Sequence, residues 1–336
     1  MLLRSGRSRR CNLRTNKLTQ GVDMSNKILI TDSLFFKPHH VKELEDAGYV
    51  IERLDKPNAS EEELCEAVKG KVGYLLGGIE KITDKVIESA DELRAIVVTA
   101  TGYIGFVPGY KLATVKGIAV ANAPHKNVHS VAEFGMTMSL LMTRDAVALS
   151  RVCEKTFETT RSLSGLRVGV VGLGHVGSEY ARLAKCMGVT NLSYFSRTRK
   201  PEVEQELGIG FKELKQLFQD SDLVYVALPM EGVGKNFFQA AEINALRPGS
   251  IIISTSDPEQ FDQDALYTRL ESGEIRVAFD DNIKTERFQN LPISAYYAPN
   301  ESVAFNTSDA VEKVSDSCVK SMINLLKTGE DQYRLN

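Results

Sequence analysis

The chain has 336 residues, of which 43% are hydrophobic and 25% are charged, and its formal net charge is −3. This composition is typical of a soluble protein long enough to bury two hydrophobic cores, and the charge does not indicate a nucleic-acid partner. The five cysteines form no C-x-x-C pair, the five histidines show no metal-ligand spacing, and no apolar run approaches the roughly 20 residues that span a bilayer. We therefore expect a reduced, metal-free, cytoplasmic protein with no membrane or nucleic-acid role.

The first 23 residues differ in composition from the rest of the chain. They contain six Lys or Arg residues, one acidic residue and no hydrophobic period. We expect residues 1–23 to be a disordered basic extension, either an added upstream segment or a targeting peptide, although it lacks the apolar stretch of a secretory signal. A folded domain is expected to begin at Met24.

Short apolar runs alternate with helical periods over the next hundred residues, a pattern typical of a parallel sheet. The predicted strands are residues 27–31, 49–53, 72–76, 95–98 and 119–122, and the predicted helices are residues 38–47, 60–68 and 83–90. A long apolar helix is then predicted over residues 130–149, opened by a capping box of Ser130 and Glu133.

A βαβ unit follows, with a strand at residues 168–171, a helix at 176–186 and a second strand at 191–195. Three further strands are predicted at residues 223–228, 250–254 and 275–279. The whole pattern predicts an α/β protein of two doubly wound, parallel-sheet units, with the long helix at their junction.

The turn inside this βαβ unit reads Gly-x-Gly-x-x-Gly, the pattern of a dinucleotide site. In such a site Gly172 permits a tight turn, Gly174 lets the backbone approach the pyrophosphate, and Gly177 lets the helix pack closely on the strand. The phosphates are then expected at the helix N-terminus, beside His175 and Val176. The alternative is a glycine turn without a ligand.

The loop after the second strand favours NADP(H) over NAD. An NAD site usually has an acidic residue about 20 residues after the glycines, to bind the ribose hydroxyls. This chain has Ser196, Arg197, Thr198 and Arg199 there instead, and either arginine could bind a 2′-phosphate. NAD remains the second choice of cofactor, and a solvated basic loop is the alternative reading.

Several segments together resemble the D-isomer-specific 2-hydroxyacid dehydrogenases, in an order and spacing that cover nearly all of residues 24–325. Besides the glycine motif they are residues 102–107 (GYIGFV), 117–124 (GIAVANAP), 130–133 (SVAE), 228–229 (LP), 247–249 (RPG) and 264–266 (DAL).

This resemblance implies a flavodoxin-like substrate domain, residues 24–121 plus 299–336, into which a Rossmann dinucleotide-binding domain of residues 122–298 is inserted. It also implies a homodimer through the helix at 130–149, which agrees with the need of so apolar a helix for cover on more than one side. Further cofactor-binding positions expected from the resemblance are Leu228, Pro229, Thr255 and Ser256.

The resemblance fails at the catalytic arginine. Family members place an Arg that binds the substrate carboxylate and carbonyl just after the strand that follows the Lys/Arg-Pro-Gly turn. Counting without gaps puts Asp257 at this position and Pro258 at the glycine after it. A carboxylate there repels a 2-oxo acid. The alternative is a local shift that lets Arg247 or Arg269 reach the site.

The acid/base histidine of the family is also replaced. Depending on the anchor used, Ser302 or Asn300 occupies its position, and the chain has no histidine after His175. Neither residue can hand over a proton near neutral pH as imidazole does. The glutamate that orients the histidine in the family matches Glu286.

Other residues near the expected cleft could take over these roles. Lys126 is a candidate for holding an anionic substrate, and His125 or His129 for moving a proton, unless these are ordinary solvated residues. Candidates for presenting backbone donors to a substrate, or for serving only their turns, are Gly77, Gly78, Thr101 and Tyr103.

Two hypotheses follow from these residues. The first is an NADP(H)-dependent oxidoreductase of this family that acts on a small molecule other than an ordinary 2-oxo acid. The second is a catalytically silent, NADP(H)-binding sensor or scaffold of the same fold. The retained glycine motif and Glu286 favour the enzyme, whereas the loss of both Arg and His favours the silent protein.

Overall fold

The computed structural model describes residues 26–31, 34–56, 58–152, 159–230 and 232–336. The predicted extension at residues 1–23 lies outside these described residues. The strands form two all-parallel sheets, one of five and one of seven strands, with helices connecting them. The prediction of two doubly wound α/β units is therefore confirmed.

The first sheet is built from the N-terminal part of the chain. Its strands are β1 (Lys27–Thr31), β2 (Val50–Leu54), β3 (Gly73–Leu76), β4 (Ala95–Val98) and β5 (Ala119–Asn122). Their order is β2-β1-β3-β4-β5, so the direction of winding reverses between β1 and β3. This is the flavodoxin-like order.

The second sheet contains the glycine motif. Its strands are β6 (Arg167–Val171), β7 (Asn191–Phe195), β8 (Gly210–Phe211), β9 (Leu223–Val226), β10 (Ser250–Ser254), β11 (Ile275–Phe279) and β12 (Tyr296–Tyr297). Their order is β12-β11-β10-β9-β6-β7-β8, and the winding reverses between β6 and β9. Read from the other edge, the six strands β8-β7-β6-β9-β10-β11 have the order of a Rossmann sheet. Strand β12 adds a seventh strand beside β11.

The helices cover the faces of both sheets. They are α1 (Pro38–Asp46), α2 (Glu61–Ala67), α3 (Asp84–Ser89), α4 (Tyr110–Val115), α5 (Val128–Thr143), α6 (Ala146–Leu149), α7 (His175–Cys186), α8 (Pro201–Leu207), α9 (Leu214–Asp220), α10 (Ala240–Ile243), α11 (Gln263–Glu271), α12 (Glu286–Gln289) and α13 (Ser308–Thr328). Among the described residues, none of these helices is long and apolar enough to cross a membrane.

The C-terminal helix α13 returns to the first sheet and completes its core. Cys318 and Met322 are fully buried against β3 and β4. A Cβ added at Gly73 of β3 would lie 2.6 Å from the Met322 sulfur, so glycine lets the helix pack closely on the strand without moving this side chain. The chain after α13 then runs beside β5, where the Leu335 N–H donates to the Val120 carbonyl at 2.8 Å.

The predicted helix at residues 130–149 is interrupted. Asp145 has φ +47 and separates α5 from α6, which corrects the single long helix. The predicted capping box is wrong, because α5 begins at Val128 and Ser130 lies inside it. The Ser130 hydroxyl instead donates to the Ala304 carbonyl at 2.5 Å, and so ties the helix to the segment that returns to the first sheet.

Helix α5 is packed tightly within the second half of the chain. A Cβ added at Gly135 would lie 2.5 Å from the Tyr225 ring, which shows how closely the helix approaches β9. Tyr225 stacks on Tyr180 of α7, with ring centroids 3.7 Å apart and an interplanar angle of 14°. Burial raises the pKa of both phenols, and the Tyr180 hydroxyl is satisfied by Ser139 at 2.8 Å. These contacts fix the end of β9 next to the glycine motif.

Candidate functional site

The carboxyl ends of the two sheets meet at one cleft. His125 follows β5 of the first sheet and His175 follows β6 of the second, and their ring centroids are 3.7 Å apart. In doubly wound sheets, ligands bind in the crevice beyond the carboxyl ends of the strands, where the strand order reverses. This cleft is therefore the candidate functional site.

The glycine loop at the end of β6 has the geometry that its pattern predicts. Gly172 has φ +92, and an added Cβ would lie 2.4 Å from the Ala227 carbonyl oxygen. A Cβ at Gly177 would lie 1.8 Å from the Gly172 carbonyl oxygen, so α7 can approach the loop only with glycine at this position. A Cβ at Gly174 would meet nothing within 4 Å. The backbone at Gly174 thus faces open space at the N-terminus of a 12-residue helix.

The opposite wall of this loop is formed by the ends of β9 and β10. The Leu228 N–H donates to the Ser256 hydroxyl at 2.7 Å, and the hydroxyls of Tyr225 and Thr255 are 2.8 Å apart. The Pro229 carbonyl accepts a hydrogen bond from the buried side chain of Gln260 at 3.0 Å. The structure therefore brings the predicted positions at the two strand ends together, beside the glycine loop.

The loop after β7 carries the residues predicted to select NADP(H). The Ser196 hydroxyl donates to the Thr198 carbonyl at 2.5 Å, which tightens the turn. Arg199 makes a two-pronged ion pair with Glu204, at 2.7 and 3.1 Å, so its guanidinium is already engaged. Arg197 is exposed and donates to a backbone carbonyl at 3.3 Å. Of the two arginines, Arg197 is the better placed to receive a phosphate.

These features fit a dinucleotide. Anions bind at helix N-termini because the first N–H groups have no partner within the helix and the helix dipole is positive there. The open backbone at Gly174 provides the approach, His175 and Val176 begin the helix, and Arg197 supplies positive charge at the end of the next strand.

The two positions that the sequence resemblance aligns with the family's arginine and histidine hold side chains that bond within the chain. The exposed Asp257 accepts a hydrogen bond from the Glu259 N–H at 2.8 Å and so caps the short 3₁₀ turn Pro258–Gln260. The Ser302 hydroxyl donates to the Asp280 carboxylate at 2.5 Å. Neither arrangement supplies a positive charge or a group that exchanges protons near neutral pH.

The arginines considered as replacements do not reach this site. Arg269 is 8% exposed, and its guanidinium donates to the carbonyls of Ile243 and Leu246 at 3.1 and 3.0 Å. Arg247 precedes β10, at the opposite end of the strand from Asp257, and lies 3.7 Å from an Asp220 oxygen. The alternative prediction, that a local shift brings Arg247 or Arg269 to this site, is therefore wrong.

The carboxylate beside Ser302 is not the one expected from the sequence. Glu286 is exposed at the start of α12, and the carboxylate that contacts Ser302 is Asp280. Asp280 is 5% exposed and accepts the N–H groups of Val303 and Ala304 at 2.9 Å as well. Sequence reasoning missed Asp280, although its place directly after β11, at the carboxyl end of a buried strand, was a usable signal.

The three residues considered as replacement groups point in different directions. His125 has φ +64 and faces His175, and its pKa is lowered by burial, by His175 and by Lys126. Lys126 turns away, and its ammonium donates to the Tyr333 hydroxyl at 3.0 Å beside a cavity of about 760 Å³ along α13. His129 lies 2.8 Å from a Glu179 oxygen. Only His125 of these three contacts the glycine loop through an interaction seen in the described chain.

The other position considered for the histidine, Asn300, is exposed and lines a separate cavity of about 430 Å³ near β12.

The remaining predicted positions lie at the carboxyl ends of β3 and β4. The Gly77 N–H donates to the Thr31 hydroxyl oxygen at 3.3 Å, and Gly78 beside it is half-buried. The Thr101 hydroxyl accepts the N–H of His125 at 3.3 Å, which ties the loop after β4 to the loop after β5. Tyr103 packs on another tyrosine ring, with centroids 4.9 Å apart, and its backbone carbonyl closes a turn.

A second cluster of ionisable groups, His39, His40, Glu312 and Asp316, lies between α1 and α13, and the spacing of the histidines alone did not reveal it. His40 Nδ1 accepts the N–H of Lys37 at 3.1 Å, so in the neutral ring Nε2 carries the hydrogen and donates to Asp316 at 3.2 Å. A metal at Nε2 would need the other tautomer. Burial lowers the pKa of His40, and the cluster is explained as a hydrogen-bonded brace between the two helices.

Comparison with known proteins places this geometry in a family. The family model described as "D-isomer specific 2-hydroxyacid dehydrogenase, NAD binding domain" matches residues 134–303. The chain belongs to the D-isomer specific 2-hydroxyacid dehydrogenase family. Membership supports a nicotinamide dinucleotide cofactor and an activity like that of 2-hydroxyacid dehydrogenases.

Individual relatives agree with this assignment. The chain is 29% identical to a glyoxylate reductase of Thermococcus gammatolerans over 223 residues, which is 63% of this chain and 66% of that protein. It is 27% identical to a glyoxylate reductase of Thermococcus litoralis over 321 residues, 90% of this chain and 95% of that protein. An NADPH-dependent glyoxylate/hydroxypyruvate reductase of Sinorhizobium meliloti, solved with NADP and malonate, has the same fold, with a TM-score of 0.75, 21% identity, and coverage of 92% of this chain and 96% of that one.

Proposed function

We propose that this protein is an NADP(H)-dependent oxidoreductase whose substrate is not an ordinary small 2-oxo acid. The observation that carries the proposal is the identity and bonding of the residues at two positions. The sequence resemblance aligns Asp257 with the family's substrate-binding arginine and Ser302 with its histidine, and in the structure Asp257 accepts the Glu259 N–H while Ser302 donates to Asp280. A 2-oxo acid would therefore meet a negative charge and no imidazole at these positions.

Preference for NADP(H) is supported by the charges around the second strand of the βαβ unit. Arg197 is exposed, while Arg199 is paired with Glu204, so we assign the 2′-phosphate to Arg197. The glycine loop, with Gly172, Gly174 and Gly177, would hold the pyrophosphate at the start of α7. When bound, the reduced cofactor supplies a hydride; the protein must bind and orient the substrate and exclude water from it.

His125 is our candidate for handling a proton in the cleft. It stands against His175 at the glycine loop, and its N–H to the Thr101 hydroxyl holds its backbone at φ +64. Because burial lowers its pKa, the ring is predominantly neutral at pH 7 and can accept a proton on one nitrogen.

We also propose a homodimer through α5. Val131 and Leu141 lie on one side of this helix and remain half-exposed, as does Phe134, which also packs against the core, whereas Ala132, Met136, Met138 and Met142 are buried inside the chain. Light scattering of the purified protein should give twice the chain mass, and a monomer at micromolar concentration would contradict this assembly.

The function is tested by a cofactor titration together with a substrate screen. We expect NADPH to bind more tightly than NADH, and glyoxylate, pyruvate and hydroxypyruvate to be reduced negligibly, because loss of a general acid alone costs about two to four powers of ten in rate. Screening aldehydes, imines and larger oxo compounds for NADPH oxidation should identify the substrate class. Turnover of a simple 2-oxo acid at ordinary enzyme rates would refute the proposal. Tight NADPH binding with no turnover of any compound would favour the silent sensor or scaffold instead.

A further inference from the structure

The carboxylate of Glu80 has a free hydrogen-bonding position that nothing in the site described above uses. Glu80 is 2% exposed, and its Oε1 accepts hydrogen bonds from the hydroxyls of Thr31 and Tyr74, the latter at 3.1 Å. Within the described part of the chain, the buried Oε2 has no hydrogen-bond partner. An unpaired buried carboxylate oxygen is costly, so proteins normally supply it with a donor or reserve it for a function.

Glu80 lies where a doubly wound sheet binds ligands. Thr31 is the last residue of β1 and Gly77 follows β3, and the hydrogen bond between them spans the point at which the strand order reverses. Crevices at such switch points, beyond the carboxyl ends of the strands, are the usual ligand sites of these sheets. The contact of His125 with His175 shows that this edge of the first sheet faces the cleft that also holds the glycine loop.

The loop that leads to Glu80 contains two glycines and an exposed isoleucine. Because Oε2 is buried, a ligand reaches it only if the neighbouring backbone shifts. Gly77 and Gly78 precede Glu80 and place few restrictions on backbone angles. Ile79, between them and Glu80, is 66% exposed and is not anchored in the core.

The chemistry of the free oxygen selects a donor with positive charge. The carboxyl oxygens of glutamate are hydrogen-bond acceptors and pair best with cationic donors, and Oε1 already receives two hydroxyl hydrogens. Asp257, at the carboxyl end of β10, adds a second negative charge to the carboxyl edges that meet at the cleft. Lys126, the candidate for holding an anionic substrate, is directed to Tyr333 instead.

We infer that the substrate carries a positively charged nitrogen, an ammonium, guanidinium or protonated imine, and that its N–H binds Oε2 of Glu80. This inference rests on the proposed function and names the substrate class for the same cleft. A negatively charged Asp257 would favour a cationic substrate, whereas the family's arginine favours a carboxylate.

The test compares three probes of similar length with different charge: pentylamine, 1-pentanol and pentanoate. Binding to the full chain at pH 7 is measured by isothermal titration and saturation-transfer NMR, with and without saturating NADPH. We expect the protonated amine to bind at least tenfold more tightly than the alcohol and the carboxylate, since charge-assisted hydrogen bonds are roughly twice as strong as neutral ones.

Variants identify the carboxylate responsible. Glu80→Gln should abolish the preference for the amine, whereas Glu88→Gln, which removes an exposed carboxylate from the neighbouring helix α3, should keep it. The charge preference of the unmodified protein remains decisive even if Glu80→Gln fails to fold. Equal binding of the three probes to the unmodified protein, or an undiminished preference in folded Glu80→Gln, would overturn the inference.

The NADPH titration separates the two levels of the proposal. If NADPH binds and the amine shows no preference, the substrate class is wrong while the proposed oxidoreductase stands. If NADPH does not bind at all, the proposed function itself is wrong.

Discussion

Two neighbouring parts of the cleft use their residues in opposite ways. At the glycine loop, backbone contacts exclude any side chain from Gly172 and Gly177, and the space in front of Gly174 is left open. Beyond β10 and β12, Asp257 and Ser302, which the sequence resemblance aligns with the family's arginine and histidine, are bonded to the chain itself. The glycine loop thus leaves a surface open to a ligand, whereas the side chains of Asp257 and Ser302 are engaged in hydrogen bonds within the chain. Under our proposal, substrate chemistry comes from elsewhere in the cleft, with His125 and Glu80 as the candidate groups.

The largest effect should come from the glycine loop, where two glycines serve different purposes. Gly177→Ala should destabilise the protein by more than about 3 kcal/mol, because the new Cβ would lie 1.8 Å from a backbone oxygen that cannot move aside. Gly174→Ala should leave thermal stability nearly unchanged, since its Cβ meets nothing within 4 Å, but should weaken NADPH binding by tenfold or more.

Thermal unfolding and NADPH titration of both variants separate these purposes. If Gly174→Ala lowers Tm as much as Gly177→Ala does, the open space in front of Gly174 has a structural role and not a binding one. If it binds NADPH like the unmodified protein, the pyrophosphate does not approach the backbone there.

The next largest effect concerns residues 257, 258 and 302, which the resemblance aligns with the family's catalytic segments. The triple variant Asp257→Arg, Pro258→Gly and Ser302→His restores the family's groups, and we expect it to fold and bind NADPH but to remain inactive towards 2-oxo acids. The reason is that Glu286, the expected partner of a histidine at 302, is exposed on α12, and the nearer carboxylate, Asp280, already accepts the N–H groups of Val303 and Ala304. Initial rates with glyoxylate and hydroxypyruvate provide the measurement, and the double variant without Ser302→His is the control.

Vigorous 2-oxo acid reduction by the triple variant would mean that the site is only a decayed family site. It would remove the support for a rebuilt pocket and favour the silent relative.

The parts of this contrast that could be predicted from sequence are those set by local structure. The strand, turn and helix around the glycine motif are encoded within 168–186, so both the elements and the glycine positions could be predicted. The roles of Lys126 and Ser302 depend on partners 207 and 22 residues away, and no local pattern indicates that these side chains bond to Tyr333 and Asp280.

The end of α5 before Asp145 is a second feature that the local sequence pattern does not reveal. The apolar pattern continues past it, and only the observed φ of +47 reveals that α5 ends before this residue. Glu80 was missed because an acidic residue in a loop after a strand ordinarily predicts exposure, and its burial depends on Thr31 and Tyr74 from the packed sheet.

A smaller effect is expected at the phosphate-selecting loop. Arg197→Ala should lower the preference for NADPH over NADH by about tenfold or more, because a guanidinium contributes charge-assisted hydrogen bonds to the 2′-phosphate. Arg199→Ala should change this preference little, since that guanidinium is paired with Glu204. Dissociation constants for both cofactors, measured for both variants, provide the comparison. Equal losses in the two variants would show that the pair with Glu204 breaks when the cofactor binds.

The smallest effect should be the pH dependence of the contact between the two walls. Burial, followed by the charges of His175 and Lys126, lowers the pKa of His125 below its ordinary value of 6.5. The folded protein therefore binds fewer protons at this ring than the unfolded chain, and stability is lost as the pH falls through 6.5 towards the lower folded pKa. His125→Asn removes the titration and still tolerates φ +64, because asparagine adopts left-handed backbone angles more readily than most residues. Between pH 7.5 and 5.5 we expect Tm of the unmodified protein to fall further than that of the variant. An equal fall in both proteins would show that the contact of His125 with His175 does not depend on its protonation, and the two walls would then be held together by packing alone.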